Sequence, residues 1–315
     1  MATKVALVGI GRIARDQHVP AIAANPAFEL AATASRDAAG VDGVERFADL
    51  AALLDARPDI RCVSLCTPPQ ARYADARRAL DAGRHLMLEK PPGATLGEVH
   101  DLAGRAAASG LTLFVTWHSR HAAAVPAARA WLAGRRPRRV EIEWREDVRR
   151  WHPGQDWLWR AGGLGIFDPG INAISLLTAI HPRALRLVRA ELAFPANRDT
   201  PIAASLELRD PDDVEIVAEL DWRQRGPQTW DVRVATDAGD ALLADGGARL
   251  VVDGTETVAG PDPGTTTLDH EYAGLYARLA ELLATGASDV DLAPLRHVAD
   301  AFAIGRRATV EPFEW

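Results

Sequence analysis

The chain is poor in lysine: among 36 lysines and arginines in 315 residues, only Lys4 and Lys90 are lysine. Where positive charge alone is needed this sequence uses arginine, so Lys90 calls for a chemical reason. Cysteine is as scarce, with Cys62 and Cys66 the only two. Both fall in "RCVSLC", which reads as one strand, and four strand residues span roughly 13 Å, too far for a disulfide. Two buried thiols are expected, and no Cys/His spacing suggests a structural zinc site. No run of about 18 apolar residues exists, so no transmembrane helix is expected. The start, "MATKVALVGIG", lacks a long apolar segment ahead of a small-residue cleavage site; no signal peptide is read, and a cytoplasmic location is expected. Positive charge is not in excess either: 43 acidic against 36 basic residues give −7. The arginines are scattered apart from "RRPRR" at 135–139, which suits a solvated helix-to-strand turn. That balance disfavours nucleic acid as a partner.

What is present is ample core material, 48% hydrophobic, in a chain long enough for two domains. The first third alternates apolar strands (4–9, 29–35, 62–67, 85–89, 111–116) with helical patterns (12–24, 47–55, 71–83, 95–109). Such alternation implies a parallel sheet covered on both faces, and continuously apolar strands agree. After about residue 137, segments such as "RVEIEWREDV", "ASLELR" and "DVEIVAELDWR" alternate apolar and polar residues, as half-buried antiparallel strands do. Helices near 169–180, 269–285 and 291–307 complete the pattern. The expected fold is α/β: an N-terminal Rossmann domain over 1–118, then an α/β domain over 119–315 with a mostly antiparallel open sheet.

"VGIGRIA" sets Gly9, Gly11 and Ala14 in a G-x-G-x-x-G/A arrangement after the first strand. Gly9 permits the tight turn, Gly11 lets backbone approach a pyrophosphate and Ala14 allows close helix packing; the helix N-terminus then faces the phosphates. The second strand ends in Ser35 and Arg36, with Asp37 a little late. An acid there suits the ribose 2′-hydroxyl of NAD and an arginine the 2′-phosphate of NADP, so NADP is expected to be preferred, with NAD a second acceptable cofactor.

Lys90 lies at the C-terminal end of the fourth strand expected in the first domain, at the edge where ligands bind in open α/β folds. Unlike arginine, a lysine can lose its proton when buried, which makes Lys90 a candidate acid/base or a donor to a reacting hydroxyl. In "GGLGIFDPGIN", Asp168 followed by Pro169 reads as a helix N-cap with proline at the first helical position. Yet Asn172, four residues on, shares its helical face, and Gly162, Gly163 and Gly165 would let a substrate approach. In "VEIEWREDV", Glu146 falls with Val140, Ile142, Trp144 and Val148 on the apolar face, which is costly for a carboxylate unless it is paired or used. Six of nine tryptophans lie between 117 and 159. Trp117–His118 ends one strand and Trp151–His152 follows another; aromatics beside imidazoles, amides and carboxylates suit a sugar. Trp131 and Trp144 read as core. His118 and His121 have metal-ligand spacing but no third ligand, so no metal is expected.

On "VGIGRIA", "EKPP" and the G-G-x4-D-x3-N segment, the sequence resembles the glucose–fructose oxidoreductase/inositol dehydrogenase (Gfo/Idh/MocA) family over essentially its whole length. Within it, "GRIARDQHVPAI", "LEKPPGATLGEV", "TWHSR", "EDVRRWHPGQDW" and "GLGIFDPGINAISL" are similar to the subgroup of aldose 1-dehydrogenases acting on L-arabinose and D-galactose. The resemblance implies oxidation of a pyranose C1 hydroxyl to the lactone, with Lys90 and Asp168 catalytic. It also implies sugar contacts at His118, Glu146, Trp151, His152 and Asn172, and cofactor contacts at Gly9, Gly11, Arg12, Ile13, Ser35, Arg36, Cys66, Thr67, Pro68, Glu89 and Lys90. Many relatives carry histidine four residues after the aspartate and use the pair as a base relay; Asn172 cannot take a proton, so the base is Asp168 or Lys90. The implied partner is a small-molecule sugar, with no membrane and no nucleic acid, and the chain is expected as a monomer or homodimer. The alternatives are a non-catalytic sugar or NADP sensor on the same fold and a reductase of another small polar substrate.

Overall fold

A computed structural model of the chain describes residues 2–36, 40–260 and 266–315; Asp37, weighed above for the ribose, lies outside the described residues. The N-terminal segments run β1 (Thr3–Val8), a π-helical turn Ala14–His18 continued by α1 (Val19–Ala24), β2 (Phe28–Ala34), β3 (Glu45–Phe47), α2 (Leu50–Ala56), β4 (Cys62–Leu65), α3 (Pro69–Asp81), β5 (His85–Glu89), α4 (Leu96–Ala108) and β6 (Leu113–Thr116). The six strands form one parallel sheet in the order β3-β2-β1-β4-β5-β6. This is the doubly wound Rossmann sheet the alternation implies. The three-residue β3 is not expected from the sequence and takes Phe47 from the expected helix at 47–55, which instead begins at Leu50, capped by Asp49 Oδ1 accepting the Ala52 N–H at 2.9 Å. Lys90 therefore follows the fifth strand of this unit, not the fourth.

The remaining elements are α5 (Val125–Leu132), β7 (Pro137–Arg145), α6 (Val148–Trp151), α7 (Phe167–Ile180), β8 (Arg186–Pro195), β9 (Ala203–Arg209), β10 (Glu215–Asp221), β11 (Thr229–Thr236), β12 (Gly239–Ala244), β13 (Arg249–Val252), β14 (Thr255–Val258), α8 (Thr267–Thr285), α9 (Ala293–Ile304) and β15 (Arg306–Val310). Their nine strands form a mixed, mostly antiparallel sheet in which β7 runs parallel to β10 and β15 to β8. The "RRPRR" cluster bridges α5 and β7. The helix expected over 291–307 stops at Ile304 and the chain re-enters the sheet as β15; the turn between them has room only for glycine, since a Cβ on Gly305 would lie 2.3 Å from the Ala301 carbonyl.

The chain divides into two compact units, residues 1–118 with 268–292, and 119–267 with 293–315. A second domain running unbroken from 119 to 315 is thus corrected: most of α8 belongs to the first unit. The reason is visible in its buried face, where Tyr272, Leu275, Tyr276, Leu279 and Leu282 pack with Val5, Leu7, Ile22 and Met87 on one side of the parallel sheet. Helices α2, α3 and α4 cover the other side. Burial pushes the Cys62 thiol up to about 12, whereas Cys66 is only half-buried, so the expectation of two buried thiols holds for one. No described helix is long and apolar enough to cross a membrane.

Candidate functional site

In the first unit, the β1-to-helix turn is shaped by two different demands on glycine. Gly9 has φ +85°, and a Cβ there would lie 2.8 Å from Thr67 Cγ2 and 2.9 Å from its backbone nitrogen. The protein's own packing requires that glycine. Gly11 differs: a Cβ would meet no described atom within 4 Å, so packing against the described residues does not require a glycine there. Thr67 Oγ1 is buried without a hydrogen-bond partner, and Ala14 is fully buried against the core. Arg12 is exposed and pairs with Asp16 at 3.3 Å, Ile13 and Ser35 are half-buried, and Arg36 and Pro68 are exposed. A glycine cradle, an orphaned hydroxyl and an exposed arginine fit a dinucleotide whose pyrophosphate crosses Gly11.

Lys90 leaves β5 half-buried, ahead of a cis bond to Pro91. Its backbone N–H is held from both sides, by Glu89 Oε2 at 2.9 Å and Thr116 Oγ1 at 3.1 Å. The buried Arg72 of α3 donates to the carbonyls of Thr67, Glu89 and Pro91, tying the ends of β4 and β5 together. Glu89, expected as a cofactor contact, turns its carboxylate inward. Its Oε1 accepts from the Tyr272 hydroxyl at 2.7 Å and pairs with His18 Nε2 at 2.9 Å. His18 Nδ1 meets the Tyr276 hydroxyl at 2.8 Å. His118, expected as a sugar contact, has its Nδ1 paired to Glu271 and its ring stacked on Tyr272 at 5.6 Å.

Burial opposes a charge on Glu89, but the hydrogen bond from His18 and the His18 and His118 charges hold its carboxyl down at about 2. Burial likewise opposes charge on His18, yet Cys66, Tyr276 and Glu89 around the ring outweigh it and raise His18 well above 6.5. Burial pushes Tyr276 up to about 12. The EKP turn therefore stands on a buried, satisfied charge pair. Sequence reasoning missed His18, Arg72, Glu271, Tyr272 and Tyr276; the tyrosines sit on a helix nearly 200 residues from Lys90 in sequence, and only the fold joins them.

In the second unit, the alternation in β7 puts Glu146 where expected, on the buried face and 3% exposed. It is fully paired there: Oε1 accepts the Trp222 indole N–H at 3.1 Å and Oε2 that of Trp230 at 3.0 Å. Neither indole lies in the 117–159 tryptophan cluster. Trp222 follows β10 and Trp230 sits on β11 directly opposite Trp144. His152 Nε2 is 3.6 Å from Glu146 Oε1 and 3.8 Å from Asp168 Oδ2, its ring 5.4 Å from that of Trp222. Trp151 packs on Trp230 at 5.3 Å. Asn172 Oδ1 is buried without a partner, an acceptor left for an incoming hydroxyl.

Three local expectations are corrected. Asp168 does not cap its helix: α7 begins at Phe167, its cap position is Ile166, and no side chain caps it. Asp168 is 5% exposed in the first turn, so capping does not account for it. Gly163 and Gly165 serve packing rather than substrate approach, since Cβ atoms there would lie 2.5 Å from the Leu158 carbonyl and 2.3 Å from that of Pro201. Trp117 is buried with its indole donating to the Asp291 carbonyl at 2.8 Å, and Trp131 is half-buried under Arg135 rather than core. No described group of three or more His, Cys, Asp or Glu side chains could hold a metal ion.

Comparison with known proteins gives three results. Residues 3–117 match the oxidoreductase family with an NAD-binding Rossmann fold (Gfo/Idh/MocA). The chain is 43% identical to galactose 1-dehydrogenase of Pseudomonas fluorescens over 310 residues, 98% of each chain. It is 53% identical to the crystal structure of a D-galactose-1-dehydrogenase protein from Rhizobium etli, covering 99% of this chain and 98% of that one with a TM-score of 0.93. A 3-ketoreductase from Actinomadura kijaniata, solved with NADP and TDP-benzene, shares the fold at a TM-score of 0.83 but only 20% identity.

Proposed function

Because the chain belongs to the Gfo/Idh/MocA family of NAD-binding oxidoreductases, we propose that it is an aldose 1-dehydrogenase oxidising the C1 hydroxyl of D-galactose, L-arabinose or both to the lactone. The observation that carries this reading is near-full-length similarity to two galactose 1-dehydrogenases. The residues around Asp168 agree with it. A pyranose offers hydroxyls that need buried partners and C–H faces that need flat apolar surfaces; Asn172 Oδ1 and Trp151 supply one of each.

The first unit binds the cofactor, and the second carries the proposed sugar contacts other than His118. The turn at Gly9 and Gly11 with Arg12 and Ile13 takes the pyrophosphate, Ser35 and Arg36 the ribose end, and Cys66, Thr67 and Pro68 the segment after β4. Arg36 at the strand end favours NADP, with NAD a weaker second. Bound there, the dinucleotide supplies the hydride acceptor. Lys90 and Asp168 handle the proton of the C1 hydroxyl between them, and Glu89 contributes by fixing the Lys90 backbone. His118, Glu146, Trp151, His152 and Asn172 select and orient the sugar. Loss of a well-placed acid/base group costs about 10²–10⁴-fold in rate.

A panel of aldoses assayed with NADP and with NAD, with the product identified as lactone, tests the proposal. Turnover confined to aldoses with an equatorial or axial hydroxyl at C1 and a free anomeric centre supports it. Cofactor and sugar binding without turnover would assign the chain to a sensor role instead.

A further inference from the structure

We propose that the segment Phe313–Trp315 is a positioning strap for the sugar subsite, holding the stretch 147–159 that carries Trp151 and His152. This rests on the aldose 1-dehydrogenase reading and adds residues to the second unit's part in it.

Trp151 and His152 sit where local structure is weakest. α6 is a single four-residue turn, and the next regular piece is another, the 3-10 turn Asp156–Trp159. Turns this short do not hold themselves in water, so tertiary contacts must fix them. The entry to α6 is tied to the Trp222 carbonyl by the Val148 N–H at 3.1 Å. Beyond it, Arg149, Asp156 and Trp159 all turn to one segment. The Arg149 guanidinium lies 4.5 Å over the Phe313 ring and donates to the Glu314 carbonyl. Asp156 Oδ1 accepts the Trp315 indole N–H at 2.8 Å, and Trp159 stacks on Phe313 at 4.7 Å. These anchors fall on both sides of Trp151 and His152.

The strap is itself held. Asn197, in the turn after β8, accepts the Phe313 N–H through Oδ1 at 2.9 Å. Its Nδ2 donates to the Phe313 carbonyl and to Glu314 Oε1, each at 3.0 Å, and Arg198 donates to the same carbonyl at 3.1 Å. Phe313 is 4% exposed, but Trp315 is 41% exposed, so burial does not account for a tryptophan there; the bond to Asp156 gives it a use. Through Trp159 the strap also reaches Trp222, ring to ring at 5.2 Å, and the Trp222 indole donates to Glu146 Oε1. Loosening the strap therefore disturbs the Trp151, His152 and Glu146 side of the sugar subsite while leaving the dinucleotide turn intact.

The test uses Trp315→Phe, which keeps the ring and removes the N–H, and Asp156→Ala, with Ile304→Ala as a control for trimming an exposed apolar residue (Ile304 is 55% exposed). Trp315→Phe and Asp156→Ala should each raise the sugar KM about two- to tenfold, the range one hydrogen bond supplies, with kcat and the dinucleotide KM little changed. The double variant should be no worse than either single one, and Ile304→Ala should match wild type. Hydrogen exchange over residues 147–159 should run faster in both strap variants. An unchanged sugar KM in Trp315→Phe would overturn the strap. So would a loss of kcat and a rise of both KM values in step with a lower melting temperature, which is the mark of general destabilisation. If Trp315→Phe does not fold, Asp156→Ala carries the same comparison. A wild-type chain that turns over no aldose contradicts the functional reading instead, and the strap then stands or falls on the exchange rates in 147–159.

Discussion

Glu89 Oε2 accepts the backbone N–H of Lys90 at 2.9 Å, while the other oxygen of the same carboxylate binds His18 and Tyr272. The turn that presents the lysine is therefore anchored on a buried ion pair. Replacing Glu89 by glutamine leaves the His18 charge without its counterion. A buried pair broken on one side costs about 3–5 kcal/mol, so Glu89→Gln should melt well below wild type and lose turnover even at temperatures where it is folded. Differential scanning calorimetry with a parallel activity assay checks this; an unchanged melting point would show that the pair does not support the turn.

The same pair sets a pH dependence of stability. Glu89 is lowered from 4.5 to about 2, so its contribution is present above about pH 4.5 and fades as pH falls toward 2. His18 is raised above 6.5, so its contribution is complete below that value and is lost as pH rises through the folded value. The stability difference between wild type and His18→Gln should be largest between pH 4.5 and 6.5 and shrink on either side. Urea titrations across pH measure it; a difference that grows with alkaline pH has the wrong sign.

Gly9 and Gly11 should separate folding from binding. Gly9→Ala meets Thr67 at 2.8 Å with φ at +85° and should destabilise the chain by about 1–3 kcal/mol. Gly11→Ala meets no described atom within 4 Å, so its melting point should stay near wild type while the dissociation constant for the dinucleotide rises. Thermal melts and fluorescence titration read the two effects; a Gly11→Ala variant with normal affinity would remove the pyrophosphate from this turn.

The proposed preference for NADP rests on Arg36. A hydrogen bond to a charged partner contributes about 1.5–3 kcal/mol, so Arg36→Ala should lower kcat/KM for NADP relative to NAD by roughly ten- to a hundredfold. An unchanged ratio would mean that the exposed guanidinium is only solvated.

Local signals and distant ones fared differently. Strand–helix alternation and two-residue periodicity are properties of short windows, and they delivered both sheets and the buried side of Glu146. The β3 strand is too short to carry a period. The cap at Asp168 was misread because Ile166 and Phe167 already adopt helical geometry ahead of it. The packing role of Gly163 and Gly165 depends on carbonyls of Leu158 and Pro201, which no local pattern reveals. Likewise the groups that hold Glu89 and Glu146 come from the Ala14–His18 turn, α8, β11 and the residue after β10, all distant in sequence. The residues expected to do chemistry stand out in local motifs; the partners that surround them do not.

The reaction position is tested most directly with D-galactose deuterated at C1, incubated with the protein and oxidised dinucleotide. Deuterium appearing on the nicotinamide ring of the reduced cofactor, with unlabelled lactone as the product, is the predicted result. Reduced cofactor carrying no deuterium, with the label kept in an oxidised sugar, would place the oxidation at another carbon and contradict the assignment.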